Sequence, residues 1–90
     1  MVNVKFEYSK QAEKFFKKHQ DVKEKFKKAI YSLFTGRKID IKKIQGTSEP
    51  IYRVRINDYR VIFKIIDGKI IIIDTILAGN RGEIYKQFKK

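Results

Sequence analysis

Arg53, Arg55 and Arg60 are the side chains of this 90-residue chain best suited to chemistry. They fall within YRVRINDYRVIF, Tyr52 to Phe63. Tyr52, Val54 and Ile56 alternate with Arg53 and Arg55, the period of two that marks a strand. Asn57-Asp58 supplies two turn residues that tolerate positive φ. A two-residue loop there pairs Ile56 with Tyr59, Arg55 with Arg60 and Arg53 with Ile62. The arginines then share one face, and Val54, Ile56, Tyr59, Val61 and Phe63 share the other. Guanidinium groups gathered on a rigid sheet repel one another unless an anion lies across them. A phosphodiester backbone fits, because the planar fork of arginine matches phosphate geometry. Residues two apart on a strand lie about 6.5–7 Å apart, close to the spacing of successive phosphates in RNA.

A second pair is Arg81 and Tyr85, four residues apart and so on one side of a helix. A cluster of positive charge favours phenolate, which would make Tyr85 a usable base. Lys42 and Lys43 lie in a basic connection and add cations for RNA binding. His19, the only histidine, falls in an interhelix turn and is expected to face solvent. Asp67, Asp74 and Glu83 are dispersed and lack a His or Cys partner, so no metal site is expected. The chain has no Gly-rich phosphate loop and no Ser/His/Asp arrangement, and no cofactor is expected.

These residues need a scaffold. Val2 to Tyr8 alternates and reads as a first strand. Ser9 caps a helix to about Lys18, with Ala12, Phe15 and Phe16 inward. Asp21 with Glu24 resembles a capping box that opens a second helix. Its apolar face is Val22, Phe26, Ala29, Ile30, Leu33 and Phe34, and Gly36 ends it. Arg37 to Pro50 is a polar connection with a short ordered piece around Ile39–Ile44. The arginine hairpin follows, and Asp67-Gly68 signals a second two-residue hairpin from Tyr59–Ile66 to Lys69–Leu77. That last strand, apolar on both faces at Ile70–Ile73, is expected to be central. Simple pairing puts Asp74 on the Val61 face, which points to a bulge or an edge position. Ala78-Gly79-Asn80 is expected to break the strand, and Arg81 to Phe88 to form a short helix with Ile84 and Phe88 inward. The fold class is α+β: an N-terminal strand, an α-helical hairpin, a three-stranded antiparallel meander and a short C-terminal helix, in one domain spanning 1–90.

Composition sets the bounds. The hydrophobic share of 42% suits a folded protein. A formal net charge of +12 attracts nucleic acid, acidic protein or anionic membrane. Absence of cysteine excludes disulfides and thiolate metal sites and fits a reducing compartment. The N-terminus carries no signal-peptide run, and the longest apolar run, Ile70 to Ile73, is far short of the ~20 residues of a span. A cytoplasmic protein with no membrane partner is the expectation.

The residues IYRVRINDYRVIFKI, the DGK turn and the ending AGNRGEIY resemble the RelE/ParE toxin superfamily, and within it the RelE branch of ribosome-dependent mRNA interferases. The resemblance covers nearly the whole chain. It implies a RelE-like β-α-α-β-β-β-α toxin of a type II toxin–antitoxin module, acting in the ribosomal A site. The 2′-hydroxyl of mRNA would attack the adjacent phosphate without metal and so inhibit translation. By position, Arg53 and Arg55 match the family's basic-x-basic pair, Arg60 its Tyr-Arg arginine, Arg81 its late arginine and Tyr85 its near-terminal tyrosine. Catalysis is thus expected of Arg60, Arg81 and Tyr85, and RNA binding of Arg53, Arg55, Lys42 and Lys43. The best-known bacterial members carry lysines where this chain has Arg53 and Arg55, and others a late histidine that is absent here. Arginine does not give up its proton near neutral pH, so proton transfer falls to Tyr85, water or the ribosome. The implied partners are mRNA, the ribosome and a RelB-like antitoxin whose acidic or amphipathic segment wraps the basic surface. Two other readings remain open: a ParE-type gyrase poison, and a basic RNA-binding module without catalysis.

Overall fold

In the computed structural model, residues 3–37, 41–44, 50–80, 82 and 84 are described. Strand β1 (Val4–Tyr8) leads through Ser9 into helix α1 (Lys10–Lys18). Ser9 is the N-cap, its Oγ accepting the Ala12 N–H at 3.1 Å. Helix α2 (Gln20–Phe34) follows after one residue. The Asp21/Glu24 capping box is not formed. His19 is both the C-cap of α1 and the N-cap of α2, and no side chain caps α2. The single-residue link explains this: the His19 N–H returns to Phe15 O and Phe16 O, while its carbonyl already accepts Val22 and Lys23. Asp21 sits instead in the first turn, where its charge suits the helix dipole. At the far end, Gly36 takes φ +83°. Its N–H reaches Leu33 O and the Arg37 N–H reaches Ser32 O, a Schellman pair.

Beyond the helices come β2 (Ile41–Lys43), β3 (Ile51–Ile56), β4 (Tyr59–Ile66) and β5 (Ile71–Asn80). The sheet order is β1-β5-β4-β3-β2, antiparallel except for the parallel β1–β5 pair. The α+β class and the meander stand as expected. The ordered piece near Ile39–Ile44 is a further strand, β2, along the edge of β3.

Three details of β5 depart from expectation. The Asp67-Gly68 turn is not a two-residue hairpin, since Ile66 pairs with Ile72 and Gly68 does not adopt positive φ. Pairing with β1 outranks the local turn signal, with the Ile71 N–H bonded to Asn3 O and Val4 opposite Ile71. The strand also runs through Ala78-Gly79-Asn80 instead of breaking there. Ala78 and Gly79 are buried opposite Val61 and Arg60, so their small size permits a close approach rather than a turn. The bulge implied by Asp74 falls two residues later: Ile62 pairs with Leu77 and Phe63 with Thr75, leaving Ile76 extra. Asp74 consequently lies opposite Lys64, on the arginine face.

The core lies between the helices and one face of the sheet. Phe26 of α2 meets Phe6, Phe16 and Phe63 at ring-centroid distances of 5.9, 5.9 and 5.7 Å. Val22, Phe26 and Ile30 are fully buried, one helical face as the i, i+4, i+8 spacing requires. Ile84 is buried, as expected; the rest of the expected terminal helix, Phe88 included, lies outside the described residues apart from Gly82. No helix among the described residues is long and apolar enough to cross a membrane.

Candidate nucleic-acid interface

The β3–β4 hairpin has the predicted register. Ile56 faces Tyr59, Arg55 faces Arg60 and Arg53 faces Ile62. Asn57 alone among the described non-glycine residues takes positive φ, at 56°, which is what a tight two-residue loop needs. Side chains opposite one another in an antiparallel pair share a face. Arg55 and Arg60 are therefore neighbours on the face away from the helices, and Arg53 lies one row along.

The register of β2 extends that surface. Lys42 faces Arg53, so one row across the sheet reads Lys42, Arg53, Ile62, Leu77. The next reads Arg55, Arg60, Gly79. Lys43 parts company with the group: it faces Tyr52, on the helix side of the sheet. Arg81 and Tyr85 lie outside the described residues, as does Lys38.

Like charges directly opposite on a sheet oppose folding. Arg55 is exposed, and Arg53 and Arg60 are half-buried. Backbone carbonyls hold two of the forks. The Arg55 Nε–H donates to Asn57 O at 3.5 Å and an Arg60 guanidinium N–H donates to Tyr59 O at 3.2 Å. Gly79, the β5 partner of Arg60, has no side chain and is itself buried. Within this basic face Ile62 is fully buried yet stands outside the main core. The arrangement offers closely spaced cations on a stiff support, able to clamp phosphates and to stabilise negative charge that builds on one of them.

Sequence reading misplaced His19. It is half-buried, stacked on Phe15 at 4.4 Å and 5.0 Å from the Tyr59 ring. The missed signal is spacing: Phe15 and His19 are four apart, so they meet on one helical side. They border a cleft of about 540 Å³ with Gln11, Lys14, Lys17 and Lys18. That cleft is on the helix side, away from Arg53, Arg55 and Arg60. Its described lining residues supply no acid–base pair, so the arginine face remains the stronger candidate for chemistry. Gln11 was also missed. Its amide grips the backbone of Ala78 in both directions, at 2.6 and 2.8 Å.

The Tyr8 and Thr75 hydroxyls are buried and find no hydrogen-bond partner among the described residues. Burial, with smaller contributions from Glu24 and Tyr31, pushes the Tyr8 phenol up to about 12 from an ordinary 10.0.

Comparison with known proteins bears on the family and the fold. The family model described as ParE toxin of type II toxin-antitoxin system, parDE, matches residues 6–82. No protein of curated function matches the chain. Among solved structures, the RelB-RelE antitoxin-toxin complex from Methanococcus jannaschii contains a similar chain, 28% identical, with a TM-score of 0.60. The similarity covers 90% of this chain and 96% of that one. A family match over most of the length, with the fold to accompany it, means that the chain belongs to the RelE/ParE-type toxins of type II toxin–antitoxin systems.

Proposed function

We propose that the chain is a RelE-type endoribonuclease that cuts mRNA on the ribosome. The observation that carries this reading is the Arg55–Arg60 cross-strand pair with Arg53 and Lys42 in the adjoining row of the same face. Closely spaced guanidinium groups on one face suit a polyanionic ligand. In the reaction, the mRNA 2′-oxygen forms a bond to the neighbouring phosphorus and the bond from phosphorus to the 5′-oxygen breaks. The products are a 2′,3′-cyclic phosphate and a 5′-hydroxyl. Arg60 offsets the charge that accumulates on the phosphoryl oxygens, a contribution of about 2.7–4 kcal/mol for one preorganised donor. Arg53, Arg55 and Lys42 hold the backbone in register. From sequence alone, Arg81 joins Arg60 and Tyr85 accepts the 2′-hydroxyl proton, while water supplies the proton that the departing 5′-oxygen takes up. The antitoxin is an acidic or amphipathic chain that covers this face, a role supported by the similarity to a toxin bound to its antitoxin.

Purified protein added to a translating extract should give codon-phased cuts, mapped by primer extension. An Arg60→Ala protein that cuts as fast as wild type would falsify the assignment. One observation favours a second reading: the matching family model is that of the ParE toxin. On that reading the target is DNA gyrase, and the discriminating result is inhibited supercoiling with intact mRNA.

A further inference from the structure

Strand β1 is shorter than the strand it pairs with. It leaves β5 at Tyr8, opposite Thr75, and the Ser9 N–H makes a last bond to Thr75 O at 2.9 Å. Strand β5 continues to Asn80 with β4 on its other side. The edge groups of Ile76 and Ala78 thus lose their ladder partner just where the strand passes Arg60. In a strand, the N–H and C=O of one residue point the same way. A primary amide carries a donor and an acceptor side by side and can pair with both at once. Gln11 does this: its Nε2 donates to Ala78 O at 2.6 Å and its Oε1 accepts the Ala78 N–H at 2.8 Å. Two residues back, the Ser9 hydroxyl donates to Ile76 O, the bulged residue, while capping α1.

We propose that Gln11 stands in for the missing length of β1 and is a positioning residue for the arginine face, fixing the end of β5 against Arg60. The role rests on the nuclease reading above. Ala78 is fully buried and lies between the bulge at Ile76 and Gly79, the partner of Arg60. Gln11 itself keeps an exposed side, so water can reach the Ala78 pair once the amide is removed. The consequence is a loosened strand end rather than a collapsed core. Only a side chain with adjacent donor and acceptor fits. Glu at this position turns an oxygen toward Ala78 O, Met offers neither group, and Asn is one carbon short.

The test uses the full chain with programmed ribosomes under single-turnover conditions. Gln11→Ala and Gln11→Glu should lower the saturating cleavage rate by roughly 10- to 100-fold, the scale of a small misplacement of catalytic groups. The half-saturating ribosome concentration should not move. Amide exchange should accelerate at Ala78 and Arg60 but not within α2. Adding Gln11→Ala to Arg60→Lys should slow cleavage less than the product of the two single effects. Multiplicative effects overturn the proposal. So does an equal rate loss in Ile30→Val, which loosens the core far from the strand end. If the wild-type chain cuts no RNA, the nuclease reading fails, and Gln11 is then judged on exchange alone. Unchanged protection at Ala78 in Gln11→Ala overturns the strand-surrogate role, whereas selective loss there upholds it.

Discussion

Replacing Thr75 by Val should make this protein more stable, an unusual outcome for a fully buried position. Thr75 is 0% exposed, and its hydroxyl has no hydrogen-bond partner among the described residues. It sits between Tyr8 on β1 and Phe63 on β4, facing the helices. Valine keeps the branched shape and nearly the volume, so neither a cavity nor overpacking arises. The change removes one desolvated hydroxyl, which mutational data put at about 1–3 kcal/mol when unpaired. In a domain of this size each 1 kcal/mol moves Tm by about 4–8 °C. A rise on the order of 5–15 °C is therefore expected, with an unchanged urea m-value. Thr75→Ser supplies the opposite sign: it keeps the hydroxyl, deletes a methyl and leaves a void, and should cost about 1 kcal/mol. Thermal and urea unfolding followed by circular dichroism measure both. RNA cleavage should be unaffected, because Thr75 lies on the face opposite Arg60. A Thr75→Val protein that melts lower than wild type refutes the reasoning, since it would mean that the hydroxyl is satisfied after all.

Gly36→Ala should destabilise by about 1–2 kcal/mol, read by urea unfolding; nothing crowds a Cβ there, so the loss comes from the left-handed φ of +83° alone. Phe26→Ala should cost about 3–5 kcal/mol, because Phe6, Phe16 and Phe63 all pack on that ring. The raised Tyr8 phenol means that the folded state holds its proton over a pH range where the unfolded chain releases it. Stability from this group is present below pH 10 and lost as pH rises from 10 toward about 12. Tyr8→Phe should flatten that alkaline fall, measured as the wild-type minus variant difference in urea midpoint against pH. Arg55→Ala should lower the salt dependence of single-stranded RNA binding by about 0.7 in log–log slope. An unchanged slope would show that Arg55 meets no phosphate.

The hairpin was legible because every signal in it is local. Alternation, a two-residue turn and an apolar reverse face all lie within Tyr52 to Phe63, and together they set the register that joins Arg53, Arg55 and Arg60. The Schellman end at Gly36 and the Ser9 cap were readable for the same reason. What escaped depends on partners far along the chain. The Asp67-Gly68 signal yielded to pairing between β1 and β5, and Ala78-Gly79-Asn80 looked like a break because no sequence window shows that β4 and Gln11 hold it straight. Lys42 and Lys43 were indistinguishable in a basic stretch until β2 acquired a register against β3 and sent them to opposite faces. For His19 only half of the setting was out of reach: the Phe15 stack follows from spacing, but Tyr59 arrives from the hairpin.

The parallel pairing of the first and last strands has a kinetic meaning. Contacts such as Ser9 with Ile76 bridge 67 positions of sequence, and such closures slow the search for the native state. The hairpin and helices have local partners and can flicker into place early. The sheet gains its fifth member only after the two distant ends of this loop have met. Refolding should accordingly be slower than the short helices and tight turn suggest. A substitution that weakens the β1–β5 seam, such as Ile73→Ala, should retard refolding if that closure belongs to the rate-limiting step, and otherwise hasten only unfolding.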